Sequence, residues 1–189
     1  MSENRLCYGC MEVKGEQVVC PHCGYQDGTP YLPDYIAPGT MLRERYLIGV
    51  LLGHNGEGAT YLAYDTVICC KVLIREYMPI GLCTRIKGKP IISVNYNNLA
   101  QYKALMAEYT ELNKTLMRNL SHINPTLDLF AENNTTYTVF EYTEGVKLLD
   151  FLKDNAGELS WNQAKKMFPP LFTTLSLVHN AGIVHRGIS

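Results

Sequence analysis

Two stretches of this chain carry residues whose types and spacing could do chemistry. The first holds Cys7, Cys10, Cys20 and Cys23, two Cys-x2-Cys pairs separated by nine residues. Each pair puts two thiolates on one side of a metal, and the intervening loop brings the second pair round, which is the spacing of a tetrahedral Zn2+ site. Four thiolates close the coordination sphere, so the zinc is expected to be structural and not catalytic. Gly24 stands just after the second pair, where a knuckle needs positive φ, and His22, between two ligands, is read as a surface residue. A module of about twenty residues has no core of its own, so metal binding would supply its folding energy.

The second stretch runs from Gly53 to Pro79. Gly53, Gly56 and Gly58 lie within six positions, after an apolar run and before Tyr61-Leu62-Ala63-Tyr64. That pattern predicts a strand, a tight turn and a second strand. A glycine turn of this kind lets backbone N–H groups approach a phosphate, because no Cβ stands in the way.

The rest of the composition narrows the classes. Lysines and arginines number 17 against 18 acids, a net charge of −1, so no bulk attraction to nucleic acid or membrane is implied. Residues 1–40 carry two cations, Arg5 and Lys14, against five acids, Glu3, Glu12, Glu16, Asp27 and Asp34, which disfavours nucleic-acid binding by the cysteine module and favours protein docking or regulation. The apolar run from Tyr46 to Leu52 is far short of the ~18 residues of a spanning helix, and the first five residues lack a signal-peptide core. The expectation is a cytoplasmic chain, in which disulfides between the four cysteines are disfavoured. Cys69 and Cys70 are expected to be small buried hydrophobes.

The elements that position the glycine turn can be read in order. Residues 25–40, with three prolines and two glycines, read as a linker. Arg43–Leu52, Thr60–Tyr64 and Val72–Ile74 read as strands, with Ile91–Val94 a short extra one. Leu99, Tyr102, Leu105, Met106, Tyr109, Leu112 and Leu116 give one apolar face to a helix over Asn98–Asn119. Leu127–Phe130 and Thr136–Tyr142 read as a hairpin, and Lys147–Asp154 as a short helix. Ser160-Trp161-Asn162-Gln163 is a capping box opening another helix. Pro169-Pro170 is expected to break it, with a following segment that turns Leu171, Leu175 and Val178 to the core and ends at Gly182.

This order resembles the bacterial serine/threonine protein kinase family, with an N-terminal zinc ribbon added. The resemblance rests on Arg45-Tyr46-Leu47-Ile48-Gly49, the turn Gly53 to Gly58, Thr60-Tyr61-Leu62-Ala63-Tyr64-Asp65, Val72-Leu73-Ile74-Arg75-Glu76-Tyr77, Phe140-Glu141-Tyr142 and Gly182-Ile183-Val184-His185-Arg186, in register across Leu42 to Ser189. It implies an α+β fold: a kinase small lobe, made of a five-stranded antiparallel sheet plus one long helix, then the first helices of the large lobe. The expected domains are a ribbon over 1–28, a linker over 29–41 and an incomplete kinase-like domain over 42–189. The resemblance also implies a nucleotide site formed by Gly53, Asn55, Gly56, Gly58 and Arg75 with the hinge residues Glu141 and Tyr142, whose backbone would pair with an adenine, and Phe140 narrowing its back.

The departures bear on the chemistry. Kinase catalysis is mostly positioning and charge stabilisation, and needs a strand lysine, a helix glutamate, an aspartate base and metal-holding groups. Here Asn55 stands at the middle glycine position and Glu57 at the turn tip, where a carboxylate repels a triphosphate. The lysine position falls on Arg75, a wide planar fork and not a compact point charge. Lys71 shares its strand face but lies roughly 13 Å away. The helix glutamate is assigned to Glu108, with Glu111 the alternative. In His185-Arg186-Gly187 the aspartate position is Gly187, which accepts no proton; losing a general base is worth roughly 10²–10⁴-fold. The metal-holding Asn and Asp of the family are expected beyond Ser189, so Mg2+ is not expected here. No catalytic constellation is intact, and the expected function is a pseudokinase: a regulatory or binding module with a protein partner, retaining ATP at most as a bound ligand. Two readings stay open beside it: an active serine/threonine kinase whose remaining large lobe is not in this chain, and a zinc-dependent scaffold without nucleotide.

Overall fold

The hairpin around the glycine turn is the centre of the sheet. In the computed structural model, which describes residues 5–119, 124–155 and 157–184, strand β1 (Met41–Leu42) leads into β2 (Tyr46–Asn55), and β2 turns at Gly56-Glu57 into β3 (Gly58–Asp65). Strand β4 (Cys70–Tyr77) follows, then a short hairpin of β5 (Cys83–Arg85) and β6 (Ile92–Val94). A 3-10 turn at Tyr96–Asn98 opens the long helix α1 (Leu99–Asn119), and β7 (Thr126–Glu132) and β8 (Thr135–Glu141) form the next hairpin. The main sheet is antiparallel with the order β1-β2-β3-β4-β8-β7, and β5-β6 is a separate two-stranded ribbon. The sixth strand beyond the five expected is the two-residue β1.

The chain divides into two compact units. One is Met1–Thr115 with Thr126–Tyr142, the other Leu116–Pro125 with Thr143–Ser189. In the first, the inward positions of the central strands form the core: Tyr46, Ile48, Tyr61, Ala63, Val72, Ile74, Tyr137 and Val139 are all fully buried. Period-two alternation dictates this, since every second residue of a strand meets the same face. The linker is not loose: Ile36 is 2% exposed within this core, and its N–H donates to the Tyr61 hydroxyl at 3.2 Å.

Helix α1 differs from its expected face. Tyr102 and Asn113 are buried and Met106 and Tyr109 half-buried, whereas Leu105 and Leu112 are 36% and 39% exposed. The buried stripe follows the tyrosines because their rings pack on Tyr77, at centroid distances of 5.8 Å for Tyr102 and 4.9 Å for Tyr109. Cys69 also departs from expectation: it is exposed, in a turn at φ 54°.

In the second unit, α2 spans Leu148–Asp154 and α3 spans Trp161–Asn180. The capping box is present as expected: Ser160 accepts from the Gln163 N–H and the Gln163 side chain accepts from the Ser160 N–H. The expected break at Pro169-Pro170 does not occur; α3 runs through both prolines. Proline removes one N–H and crowds the carbonyl four residues back, but the helix on the far side is fixed by Thr174 and Val178, both buried, and by Thr173 and Thr174 hydroxyls donating to the Pro169 and Pro170 carbonyls at 3.0 and 2.9 Å. Leu171 is 42% exposed, against expectation. Gly182, at φ 77°, ends the helix, and Ile183 N–H bonds back to the Val178 carbonyl. No described helix is long and apolar enough to cross a membrane.

Asp65 closes the β3 end of the sheet. It is 1% exposed and takes the Arg45 guanidinium at 2.7 and 3.0 Å, plus the Val67 and Ile68 N–H groups. Burial pushes its carboxyl up, but Arg45 and the two backbone donors outweigh this and hold it below the ordinary carboxylate range. A lowered folded value means stability that is present above the unfolded value near 3.9 and lost as pH falls through the folded value. Urea midpoints measured from pH 6 down to pH 2 should therefore fall more steeply for the native chain than for Asp65→Asn, and parallel acid limbs would contradict this.

Candidate functional site

The glycine turn is built from a two-residue connection between β2 and β3, with Asn55 paired to Gly58. Its glycines do different things. Gly53 and Gly56 have open space where a Cβ would be, and neither has positive φ. Gly58 is different: a Cβ there would lie 2.0 Å from the Glu76 carbonyl oxygen on β4. The close approach of β3 and β4 is what requires glycine at 58.

Asn55 organises the turn's donors. Its Oδ1 accepts from the Glu57 N–H at 3.1 Å and the Gly58 N–H at 3.2 Å. The same oxygen takes an Arg75 guanidinium N–H at 2.8 Å. Arg75 also donates to the Thr60 hydroxyl at 3.3 Å and lies 3.8 Å from the Glu57 carboxylate. The turn's carbonyls are committed too: Met78 N–H donates to Glu57 O and Ile80 N–H to Gly56 O, at 2.9 and 3.0 Å. One carboxamide oxygen thus stands where two loop amides and the strand cation converge, the arrangement that would cradle a phosphate oxygen.

Glu108 is exposed and is not among the partners of Arg75 described here, and Glu111 pairs with Lys114 at 2.6 Å. Leu112, one turn after Glu108 on the same face, is 39% exposed. From α1, the Tyr109 hydroxyl shares a hydrogen bond with Thr138 at 3.2 Å. Lys71 is turned away from Arg75: its Nζ meets Glu12 of the cysteine module at 2.5 Å and lies 5.7 Å from the Tyr142 ring centroid. Glu141 is exposed and Tyr142 half-buried at the end of β8. His185, Arg186 and Gly187 lie outside the described residues.

Behind β4 is a polar cluster that sequence reading missed. Glu76 is fully buried and accepts from Arg85 at 2.5 Å, Tyr61 at 2.9 Å and Tyr137 at 3.2 Å. Arg85 also donates to the Asp34 and Pro90 carbonyls. A glutamate in the eight-residue β4 and an arginine in the three-residue β5 of another sheet read as surface charges; nothing in their spacing announces that they meet inside.

The four cysteines come together as the spacing predicted. Their sulfurs lie within 4.8 Å of one another, with Cys7–Cys23 at 3.6 Å and Cys10–Cys20 at 3.7 Å. A tetrahedron with metal–sulfur bonds of about 2.3 Å has edges of about 3.8 Å, whereas a disulfide would need about 2.05 Å. The residues fit a Zn2+ ion. Both knuckles are closed alike, by Met11 N–H to Cys7 O at 2.7 Å and Gly24 N–H to Cys20 O at 2.9 Å, with Gly24 at φ 75°. Burial pushes the Cys7 thiol up and the Cys10 thiol up to about 12, whereas at Cys20 the N–H groups of Cys23 and His22 and the neighbouring thiols outweigh burial and bring it down to about 6, so a metal binding here would displace protons. Lys14, buried, pairs with Asp27, which also takes Arg5 at 3.1 Å and so ties the two knuckles together.

No protein-family model matches the chain. The chain is 32% identical over 145 residues to serine/threonine-protein kinase D of Synechocystis, covering 77% of this chain and 26% of that one. It is 27% identical over 154 residues to a probable serine/threonine-protein kinase of Clostridium acetobutylicum, covering 79% of this chain and 20% of that one. The chain therefore spans about a quarter or less of the length of these curated relatives. Among solved structures, the apo form of PpkA-294 matches with a TM-score of 0.72 at 24% identity, over 82% of this chain and 56% of that one. Rad53 1-466 in complex with AMP-PNP matches with a TM-score of 0.58 at 16% identity, over 77% and 33%. By sequence and by fold the chain is protein kinase-like, a relative of the serine/threonine protein kinases built on the architecture of their small lobe and the start of their large lobe.

Proposed function

We propose that this chain is a pseudokinase, a kinase-derived regulatory or binding module that does not transfer phosphoryl groups. The observation that carries the reading is Asn55 Oδ1, which takes the Glu57 and Gly58 N–H groups and the Arg75 guanidinium that a nucleotide phosphate would need. Glu57 beside Arg75 adds negative charge at the same place. Gly187, in place of a proton-accepting aspartate, supports the same conclusion. In this reading the Cys7, Cys10, Cys20 and Cys23 centre holds a structural Zn2+, and the function is carried by surfaces that dock a protein partner. The hinge residues Glu141 and Tyr142 can still offer backbone groups to a flat base, so what is lost is the phosphate seat.

Thermal unfolding with millimolar ATP, with and without Mg2+, tests this on zinc-loaded protein. The native chain should show no shift. Asn55→Gly frees two amides and Arg75, and should gain a shift while losing about 1 kcal/mol of basal stability with its hydrogen bonds. Label passing from ATP to any protein substrate above a denatured control would sink the pseudokinase reading, and an equal ATP shift in both proteins would remove the role given to Asn55.

A further inference from the structure

The cysteine module is not a tethered appendage: it is docked on the strand that carries the glycine turn. Val50 N–H of β2 donates to the Tyr8 carbonyl at 2.9 Å, and Tyr8 lies between the ligands Cys7 and Cys10. That bond is three residues ahead of Gly53. Gly49 is buried because the knuckle lies against it: a Cβ there would sit 2.4 Å from Tyr8 O and 2.4 Å from the Met11 methyl. Met11, the residue after Cys10, is itself 2% exposed. A second arm reaches the hinge. Glu12 pairs with Lys71, and Lys71 lies over the Tyr142 ring. So the first knuckle touches both the run-up to the turn and the residue that ends this unit of the fold.

The register of β2 shows where that grip matters. The β2–β3 pairing is regular up to Ile48 and again from Gly53, with irregular steps between Ile48, Leu51 and Gly53. Val50 lies inside this irregular segment, so its N–H takes its partner from the knuckle and not from β3. The two knuckles are tied by Lys14, Asp27 and Arg5, and a metal joining the four sulfurs would supply most of the remaining folding energy of a module this small, which has no core of its own.

We propose that metal occupancy of the Cys7–Cys10–Cys20–Cys23 centre governs the strand that presents the glycine turn, with Zn2+ loading fixing Val50 through Tyr8 and steadying Tyr142 through Glu12 and Lys71. The chain is then a module whose turn and hinge respond to zinc supply. This rests on the zinc reading given above. The docking is what the metal controls: without it, Tyr8 O and Glu12 lose their fixed positions and β2 loses the partner of its irregular segment.

Hydrogen exchange on the whole chain, zinc-loaded against chelator-treated, tests it, with zinc content counted per chain in each sample. The loaded native chain should exchange the Val50 amide at least about tenfold more slowly than the metal-free one, with smaller protection through the turn to Gly58. Gly49→Ala should still bind one zinc yet lose that difference, since its methyl pushes the knuckle off β2. Glu12→Ala should bind zinc, keep the protection at Val50 and lose only the metal-dependent change at Tyr142. Zinc bound by the native chain with Val50 exchanging at the same rate in both states overturns the coupling and leaves the zinc site standing. No zinc bound at all overturns both.

Discussion

Arg85→Ala should be among the most damaging single substitutions in this chain, lowering unfolding stability by about 3–5 kcal/mol. The reason lies in what remains. Glu76 is fully buried, and Arg85 is its cationic partner, at 2.5 Å. Removing the guanidinium leaves a carboxyl inside the fold with two tyrosine hydroxyls, at 2.9 and 3.2 Å, as its described donors. An uncompensated buried charge costs far more than the pair contributes when intact. Burial also works against the Arg85 charge, and it is the hydrogen bond and attraction to Glu76 that keep it in place. The same substitution frees the Asp34 and Pro90 carbonyls, so the linker and the β5–β6 connection lose their common clasp. The pair Glu76→Leu with Arg85→Met should recover much of the loss, since both charges then leave together. An unfolding free energy for Arg85→Ala within about 1 kcal/mol of the native chain would show that water or other donors take the place of the guanidinium at Glu76.

Much of this architecture could be read in advance, and the reasons are local. Cys-x2-Cys twice, with a glycine after the second pair, states its chemistry in a dozen characters, and the sulfurs converge as that spacing demands. The central strands read as apolar, β-branched and aromatic runs bounded by turn residues, and those runs are where strands β2, β3, β4 and β8 lie. What could not be read depends on contacts between distant residues. Glu76 and Arg85 look like surface charges in strands of ordinary composition; their meeting depends on the β5–β6 hairpin, of which β6 is legible at Ile91–Val94 while the three-residue β5 that carries Arg85 is not. The expected face of α1 holds at Leu99, Tyr102, Met106, Tyr109 and Leu116 and fails at Leu105 and Leu112, because leucines count as apolar wherever they fall, while the sheet selects the tyrosines that stack on Tyr77. Pro169-Pro170 reads as a break from local rules, yet tertiary burial of Thr174 and Val178 outweighs them.

Asn55 is the most instructive case. Its place at the middle glycine position of the turn is legible in the sequence. Its role as the acceptor for two amides and for Arg75 is not, although an Asn side chain that bonds backbone N–H groups two and three residues on is a known turn device. The change from lysine to arginine and the change from glycine to asparagine look like two separate losses in sequence. In the structure they are one contact, 2.8 Å long.

The three glycines of that turn should separate sharply when each is replaced by alanine. Gly58→Ala is expected to cost about 3 kcal/mol or more, at the upper end of overpacking effects. Its methyl would lie 2.0 Å from the Glu76 carbonyl oxygen and 3.1 Å from that carbonyl carbon, and backbone in a paired strand has no rotamer to escape into. β3 and β4 would have to part at Gly58↔Tyr77 and Ala59↔Glu76, disturbing the strand that also holds Arg75. Gly53→Ala and Gly56→Ala meet open space and need no left-handed backbone, so each should be neutral or gain up to about 1 kcal/mol through the unfolded chain. Chemical denaturation of the three variants gives the answer directly. A silent Gly58→Ala would mean that β3 and β4 yield easily. Losses at Gly53 and Gly56 instead would return those two glycines to a role in close backbone approach that the native turn, filled by Asn55, does not use.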